Sequence, residues 1–144
     1  MPYIYKYPRP NLTVDCLVTR LHTGQKQILL IRRKNEPYRN KWALPGGFVN
    51  KDERLVDAAM RELLEETGLK INHLKQFYVF DEPDRDPRGR TITVVFTGQA
   101  NDLKSTVRAG SDTKEVAWFP INELPELAFD HRDIIDLALC HNRI

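Results

Sequence analysis

The stretch from Leu55 to Leu69 constrains this chain most, because it reads as a helix whose two sides conflict. Leu55, Val56, Ala59, Met60, Leu63 and Leu64 recur at helical spacing, and Gly68 follows as a left-handed terminator. With Leu55 at 0° and about 100° per residue, these six span an arc from 0° to about 180°. That arc is the expected core face. On the same wheel Glu62 falls near about 340°, Glu66 near about 20° and Glu65 near about 280°. Three carboxylates therefore abut the apolar side.

Left alone, this arrangement is unfavourable. Glu62 and Glu66 are like charges at i, i+4, a cost of a few tenths of a kcal/mol. All three glutamates lie near the helix C-terminus, where the macrodipole disfavours anions. A bound dication reverses both penalties. Oxygen ligands with no neighbouring His or Cys select Mg²⁺ or Mn²⁺ over zinc. The plain alternative is a solvated acidic face balanced by Arg54 and Arg61. Upstream, Gly46-Gly47 after Leu44-Pro45 lets the backbone approach something closely, and the Gly46 carbonyl offers one more hard ligand. Glu53 stands just outside the helix start, placed to pair with Arg61 or, like Asp52, to cap the helix.

The rest of the chain is mostly strands. Leu12, Val14, Cys16 and Val18 alternate with Thr13, Asp15 and Thr19, as in a half-buried strand. After a turn at His22-Thr23-Gly24-Gln25, the run Ile28 to Ile31 fits a strand buried on both faces. Short strands are expected at Phe77 to Phe80, Thr91 to Thr97 and Glu115 to Phe119, and a last helix over Asp130 to His141. Pro2, Pro8 and Pro10 delay regular structure beyond the first ten residues. Many strands and two separated helices point to an α/β chain, a mixed sheet with helices on its faces.

Size and charge set the outer limits. The chain has 144 residues, which fits one domain over 1–144. No apolar run approaches the roughly 20 residues needed to cross a bilayer. The N-terminus has no signal-peptide apolar region. Cys16 and Cys140 make no disulfide framework. These features place the chain in a reducing cytoplasm, without a membrane partner. A net charge of +2, from 22 basic and 20 acidic residues, argues against a nucleic-acid partner. It leaves room for a phosphate-bearing small molecule.

Across 23 residues, Gly47, Glu53, Arg61-Glu62-Leu63, Glu65-Glu66 and Gly68-Leu69 resemble the complete box of the Nudix hydrolases at every fixed position. The resemblance implies the Nudix fold, an α/β/α sandwich with a mixed sheet. It implies Mg²⁺-dependent hydrolysis of a nucleoside diphosphate linked to another group, with Mn²⁺ as a second usable ion. It makes Gly46, Glu62, Glu65 and Glu66 the metal ligands and Glu62 a candidate base. Arg61 and Glu53 would hold the loop onto the helix. One departure is Arg54, where relatives often carry Ser or Thr as the helix cap. Glu115 is the candidate for a further acidic residue, with Asp112 next; a solvated surface carboxylate is the bland reading of either.

The loop Asp84 to Arg90, with Tyr7-Pro8-Arg9-Pro10 and Ala128 to His131, resembles ADP-ribose pyrophosphatases and the Nudix domains of repressors that sense ADP-ribose. Arg88 and Arg90 offer guanidinium groups to phosphate, and Asp86 or Asp84 offers an acceptor to ribose hydroxyls. A self-neutralised charged turn is the alternative. Trp42, Phe80 and Tyr78 fit core packing better than base stacking, and His131 fits a surface position at a helix start. The function implied is hydrolysis of ADP-ribose to AMP and ribose 5-phosphate. The alternatives are a nucleoside triphosphate or oxidised-nucleotide pyrophosphatase and a non-catalytic ADP-ribose sensor. An intact box, and a chain ending soon after its last helix, weigh against the sensor. The same analogy makes a homodimer one candidate assembly.

Overall fold

The computed structural model describes residues 2–101 and 106–144. Its elements run β1 (Asn11–His22), β2 (Gln25–Arg33), β3 (Trp42–Ala43), β4 (Gly46–Phe48), α1 (Leu55–Thr67), β5 (Lys75–Phe80), β6 (Thr91–Gln99), β7 (Thr113–Pro120) and α2 (His131–Cys140). The main sheet path is β3-β2-β1-β6-β5, with β4 paired to β1 and β7 to β2. β1 and β6 are parallel, from Asn11 opposite Thr91 to Thr19 opposite Gln99. The other ladders are antiparallel, so the sheet is mixed, as expected.

β1 corrects the half-buried reading. Thr13 to Thr19 are buried without interruption. Val14, Cys16 and Val18 pack with Ala58, Ala59 and Leu63 of α1, while Leu17 packs with Ile134 and Ile135 of α2. Helices thus cover both faces of the strand. The polar residues that looked solvent-facing are enclosed instead, and Thr93 Oγ1 donates to Asp15 Oδ2 at 2.7 Å. A period-2 pattern reports which residues share a face but not what covers it.

α1 has the predicted extent, and Gly68 closes it in the left-handed region at φ 74°, its N–H bonded to Leu64 O. The cap differs from expectation. Arg54 is the extended residue before the helix, and no side chain caps it. The Glu53 carboxylate accepts the Asn50 N–H and the Arg61 guanidinium instead. The buried arc is also rotated. Ala58, Ala59, Leu63 and Thr67 are buried, whereas Leu64 is exposed. On the same wheel this arc runs from about 300° to about 120° and passes directly over Glu62 and Glu66. Packing against β1 therefore turns two carboxylates inward.

Candidate active site

A cleft of about 430 Å³ opens beside this inward face. Thr13 and Asp15 of β1 and Gly46, Gly47 and Phe48 of β4 form its floor. Glu62 and Glu66 close one side, and Arg85, Asp86 and Arg88 reach it from the loop before β6. Arg33, Asp112, Phe129 and His131 complete the wall.

The glycines of β4 make the contact with α1. The Gly46 N–H donates to Glu66 Oε1 at 2.8 Å. A Cβ on Gly47 would stand 2.5 Å from Glu62 Cδ, and one on Gly46 would stand 2.5 Å from Asp15 Oδ1. A side chain on Gly47 would displace the Glu62 carboxylate, and one on Gly46 would strike the Val14 carbonyl as well as Asp15, which is the local reason for the glycine pair.

Burial pushes the Glu66 carboxyl up to about 8; Glu62 and Asp15 add to the rise, and the Gly46 N–H opposes it. Burial also raises the Glu62 carboxyl, against the pull of Arg61. Two desolvated carboxylates sharing a cleft are a poor arrangement for the bare protein and a good one for a hard cation. Among the described residues, no three His, Cys, Asp or Glu side chains already stand as a closed cage. Glu65 is exposed, its carboxylate 3.3 Å from Arg61 Nη1. At the α1 end of the cleft the donors are oxygens, Glu62 and Glu66 beside the Gly46 backbone, and they fit Mg²⁺ or Mn²⁺ chemistry.

Arg61 ties the helix to the loop that precedes it. Its Nε and Nη2 donate to Glu53 at 2.6 and 2.9 Å, its Nη1 to Glu62 at 2.7 Å, and its Nη2 to Phe48 O at 3.1 Å. These bonds hold the Glu53 carboxyl down at about 2, with the Arg61 hydrogen bond the main cause. Arg61 and Glu53 stand behind the cleft, where they orient Glu62.

The loop residues separate. Arg88 lies over the faces of Phe48 and Phe129, at 5.3 and 5.5 Å from the ring centroids, and forks onto Asp86 at 3.1 and 2.8 Å. Burial works against the Asp86 charge, but the bonds from Arg88 outweigh it and hold the carboxyl below its usual range. Arg90 points away and donates to Asp81 O. Glu115 is also outside the cleft, in an exposed pair with Arg32 at 2.8 Å, whereas Asp112 lines it. Trp42 packs edge-on against Phe119 at 4.7 Å, and Tyr78 is exposed on β5.

Four titratable cleft residues went unassigned from sequence. Asp15 is buried on β1. Arg33, half-buried at the end of β2, lies 5.0 Å from the Phe129 ring and donates to Pro37 O at 2.7 Å. Arg85 is buried in a two-point pair with Asp130, at 2.9 and 2.6 Å. His131 is buried, not at the surface; its Nδ1 accepts the Leu44 N–H at 3.0 Å. No local pattern marks Asp15, Arg85 and His131, since their partners Thr93, Asp130 and Leu44 lie far away in the chain, and Arg33 bonds locally but meets Phe129 only in the fold.

A NUDIX domain profile matches residues 9–138. The ADP-ribose pyrophosphatase of Methanocaldococcus jannaschii is 43% identical over 129 residues, 90% of this chain and 73% of that protein. The ADPR responsive transcriptional repressor NtrR of Acinetobacter baylyi is 38% identical over 92% of this chain, which spans 54% of the repressor. The NUDIX domain of Shewanella oneidensis NrtR, solved with ADP ribose, superposes with TM-score 0.87 at 30% identity, covering 94% of this chain and 90% of that one. The box residues on α1, the mixed sheet between two helices and these likenesses agree: the chain belongs to the Nudix hydrolase family.

Proposed function

We propose that this chain hydrolyses the diphosphate bond of ADP-ribose, giving AMP and ribose 5-phosphate, with Mg²⁺ as its working ion. The observation that carries the reading is the polarity of one cleft. Glu62 and Glu66 make an oxygen-only anionic end, and Arg33 and Arg88 make a cationic wall. A diphosphate bridge with a bound dication matches both ends. The relatives that act on or hold ADP-ribose support the same substrate.

When bound, the dication neutralises phosphate charge and acidifies a water. The chain's own groups do the rest. Glu62 and Glu66 hold the ion, and Glu62 takes the proton. Arg61 and Glu53 fix the Glu62 carboxylate in place. Arg88 and Arg33 bind phosphate oxygens by charge-assisted bonds. Asp112 is favoured over Glu115 as the further acidic group, because it lines the cleft. Two free cysteines fit a reducing, cytoplasmic setting. No helix among the described residues is long and apolar enough to cross a membrane.

The repressor relative carries a second reading, in which ADP-ribose is held and sensed without turnover. The two are separated by following AMP release from ADP-ribose with Mg²⁺, without metal, and with Glu66→Gln. Release that requires both metal and Glu66 supports the hydrolase. Tight binding with no AMP supports the sensor, and turnover of dGTP alone replaces the substrate assignment.

A further inference from the structure

The cleft floor carries a donor and an acceptor that do not satisfy each other. His131 Nδ1 accepts the Leu44 N–H at 3.0 Å. A ring nitrogen that accepts carries no proton, so the imidazole hydrogen resides on Nε2. Burial favours the neutral ring as well. His131 Nε2 is 3.6 Å from Asp15 Oδ1, too far for a hydrogen bond. Asp15 Oδ2 is already engaged by the Thr93 hydroxyl at 2.7 Å. Oδ1 faces the backbone of Gly46, and both Asp15 and His131 line the cleft.

A group that completes this pair must accept from Nε2–H and donate to Oδ1 at one atom. A phosphate oxygen accepts but is repelled by the Asp15 carboxylate. An ammonium donates but cannot accept. A hydroxyl does both, and one hydroxyl oxygen spans the gap with bonds of about 2.7–2.9 Å.

We propose that Asp15 and His131 together read one sugar hydroxyl of the substrate, which donates to Asp15 Oδ1 and accepts from His131 Nε2. The proposal rests on the reading of this cleft as a nucleoside diphosphate site. It assigns specificity to two residues outside the Nudix box and places a pentose, not phosphate, on the floor between β1 and the start of α2. The arginines above then face the diphosphate.

The test is a cycle between protein and ligand, read as calorimetric affinity. The ligands are ADP-ribose and analogues that each lack one sugar hydroxyl. The proteins are wild type, Asp15→Asn, which keeps an acceptor for Thr93, and His131→Asn, which keeps an acceptor for Leu44 N–H and loses the Nε2 donor. The bond to the Asp15 carboxylate predicts a loss of about 10-fold or more for Asp15→Asn on ADP-ribose, and the bond from the neutral His131 ring a loss of about 2- to 10-fold for His131→Asn. One deoxy analogue must show a similar loss on wild type, and the variants must lose less than about twofold further on it. Equal losses by the variants on every analogue, or no analogue that wild type discriminates, overturn the proposal. Should Asp15→Asn unfold in a thermal melt, His131→Asn and the wild-type analogue series decide alone. Should ADP-ribose not bind wild type, the proposed function falls separately, and GTP against dGTP supplies the same cycle.

Discussion

The Glu62 carboxylate lies flat against Gly47, so close that a Cβ on the glycine would come within 2.6 Å of both its oxygens. Strand β4 and helix α1 are thus fitted at one residue pair, and Arg61 holds the carboxylate from the other side at 2.7 Å. Gly47→Ala must displace Glu62 while leaving a strand position whose backbone an alanine can adopt. Since a misplacement of about 1 Å costs about 10²-fold, turnover should fall by that order. The melting temperature should move by only a few degrees. Loss of folding comparable to loss of turnover would show that the contact is structural only.

Glu66 gives a pH dependence with a definite sign. Its carboxyl is raised from 4.5 to about 8 by burial, so the folded protein binds a proton that the unfolded chain has already released. Between those values Glu66 makes the metal-free protein lose stability as pH rises; the buried neutral His131 works the other way below its ordinary value of 6.5, so the fall emerges above that pH. A bound dication takes the place of the proton and should flatten the slope. Thermal melts from pH 5 to 9, with chelator and with Mg²⁺, read this directly. Glu66→Gln should lose most of the fall above the ordinary histidine value of 6.5, because the amide oxygen still accepts from Gly46 N–H and position 66 no longer titrates. A wild-type melting temperature that rises with pH in chelator above the ordinary histidine value of 6.5 would contradict the assignment.

Arg61 is argued to orient Glu62 and Glu53 through a planar fork. Lysine keeps the charge but not the fork. Arg61→Lys should therefore weaken metal affinity or turnover by about 10–100-fold, the usual effect of groups that support metal ligands. The split matters: the Mg²⁺ concentration for half-maximal activity should rise, and KM for ADP-ribose should change little at saturating metal. A variant with wild-type metal dependence would remove Arg61 from this role.

The pair of buried Arg85 and half-buried Asp130 anchors the loop before β6 to the start of α2. Removing one partner strands the other; in a fully buried pair such losses cost about 3–5 kcal/mol, and the half-buried Asp130 makes that the upper limit. Arg85→Met should approach that range in urea unfolding. Replacing both partners with apolar residues should recover part of it. If the single and the double changes cost the same, the pair is not what anchors the loop.

The sequence carried α1 well because its signals are local: six apolar residues at one spacing, a terminal glycine and glutamates that conflict with their surroundings. It carried Asp15 and His131 badly because their meaning is not local. Asp15 has the alternation of a solvent-facing strand residue, and only α2 and the loops show that it faces a cleft. His131 looks like a surface residue at a helix start until Leu44, 87 positions away, donates to it. The rotated burial of α1 has the same origin. Propensity and spacing identify a helix, but the sheet it meets decides which side turns inward, and that placed Glu62 and Glu66 in the cleft.

Gly68 separates fold from function. It ends α1 at φ 74°, where an added Cβ costs about 1–2 kcal/mol. That Cβ would also stand 3.1 Å from the Arg108 side chain, which is exposed and can give way. Gly68 lies beyond the carboxylates and touches none of the cleft residues. Gly68→Ala should therefore lower stability by about 1–2 kcal/mol in urea unfolding, with kcat and KM within twofold of wild type at 25 °C. Turnover falling in parallel with stability would mean that the end of α1, and not only its inward face, holds the glutamates in register.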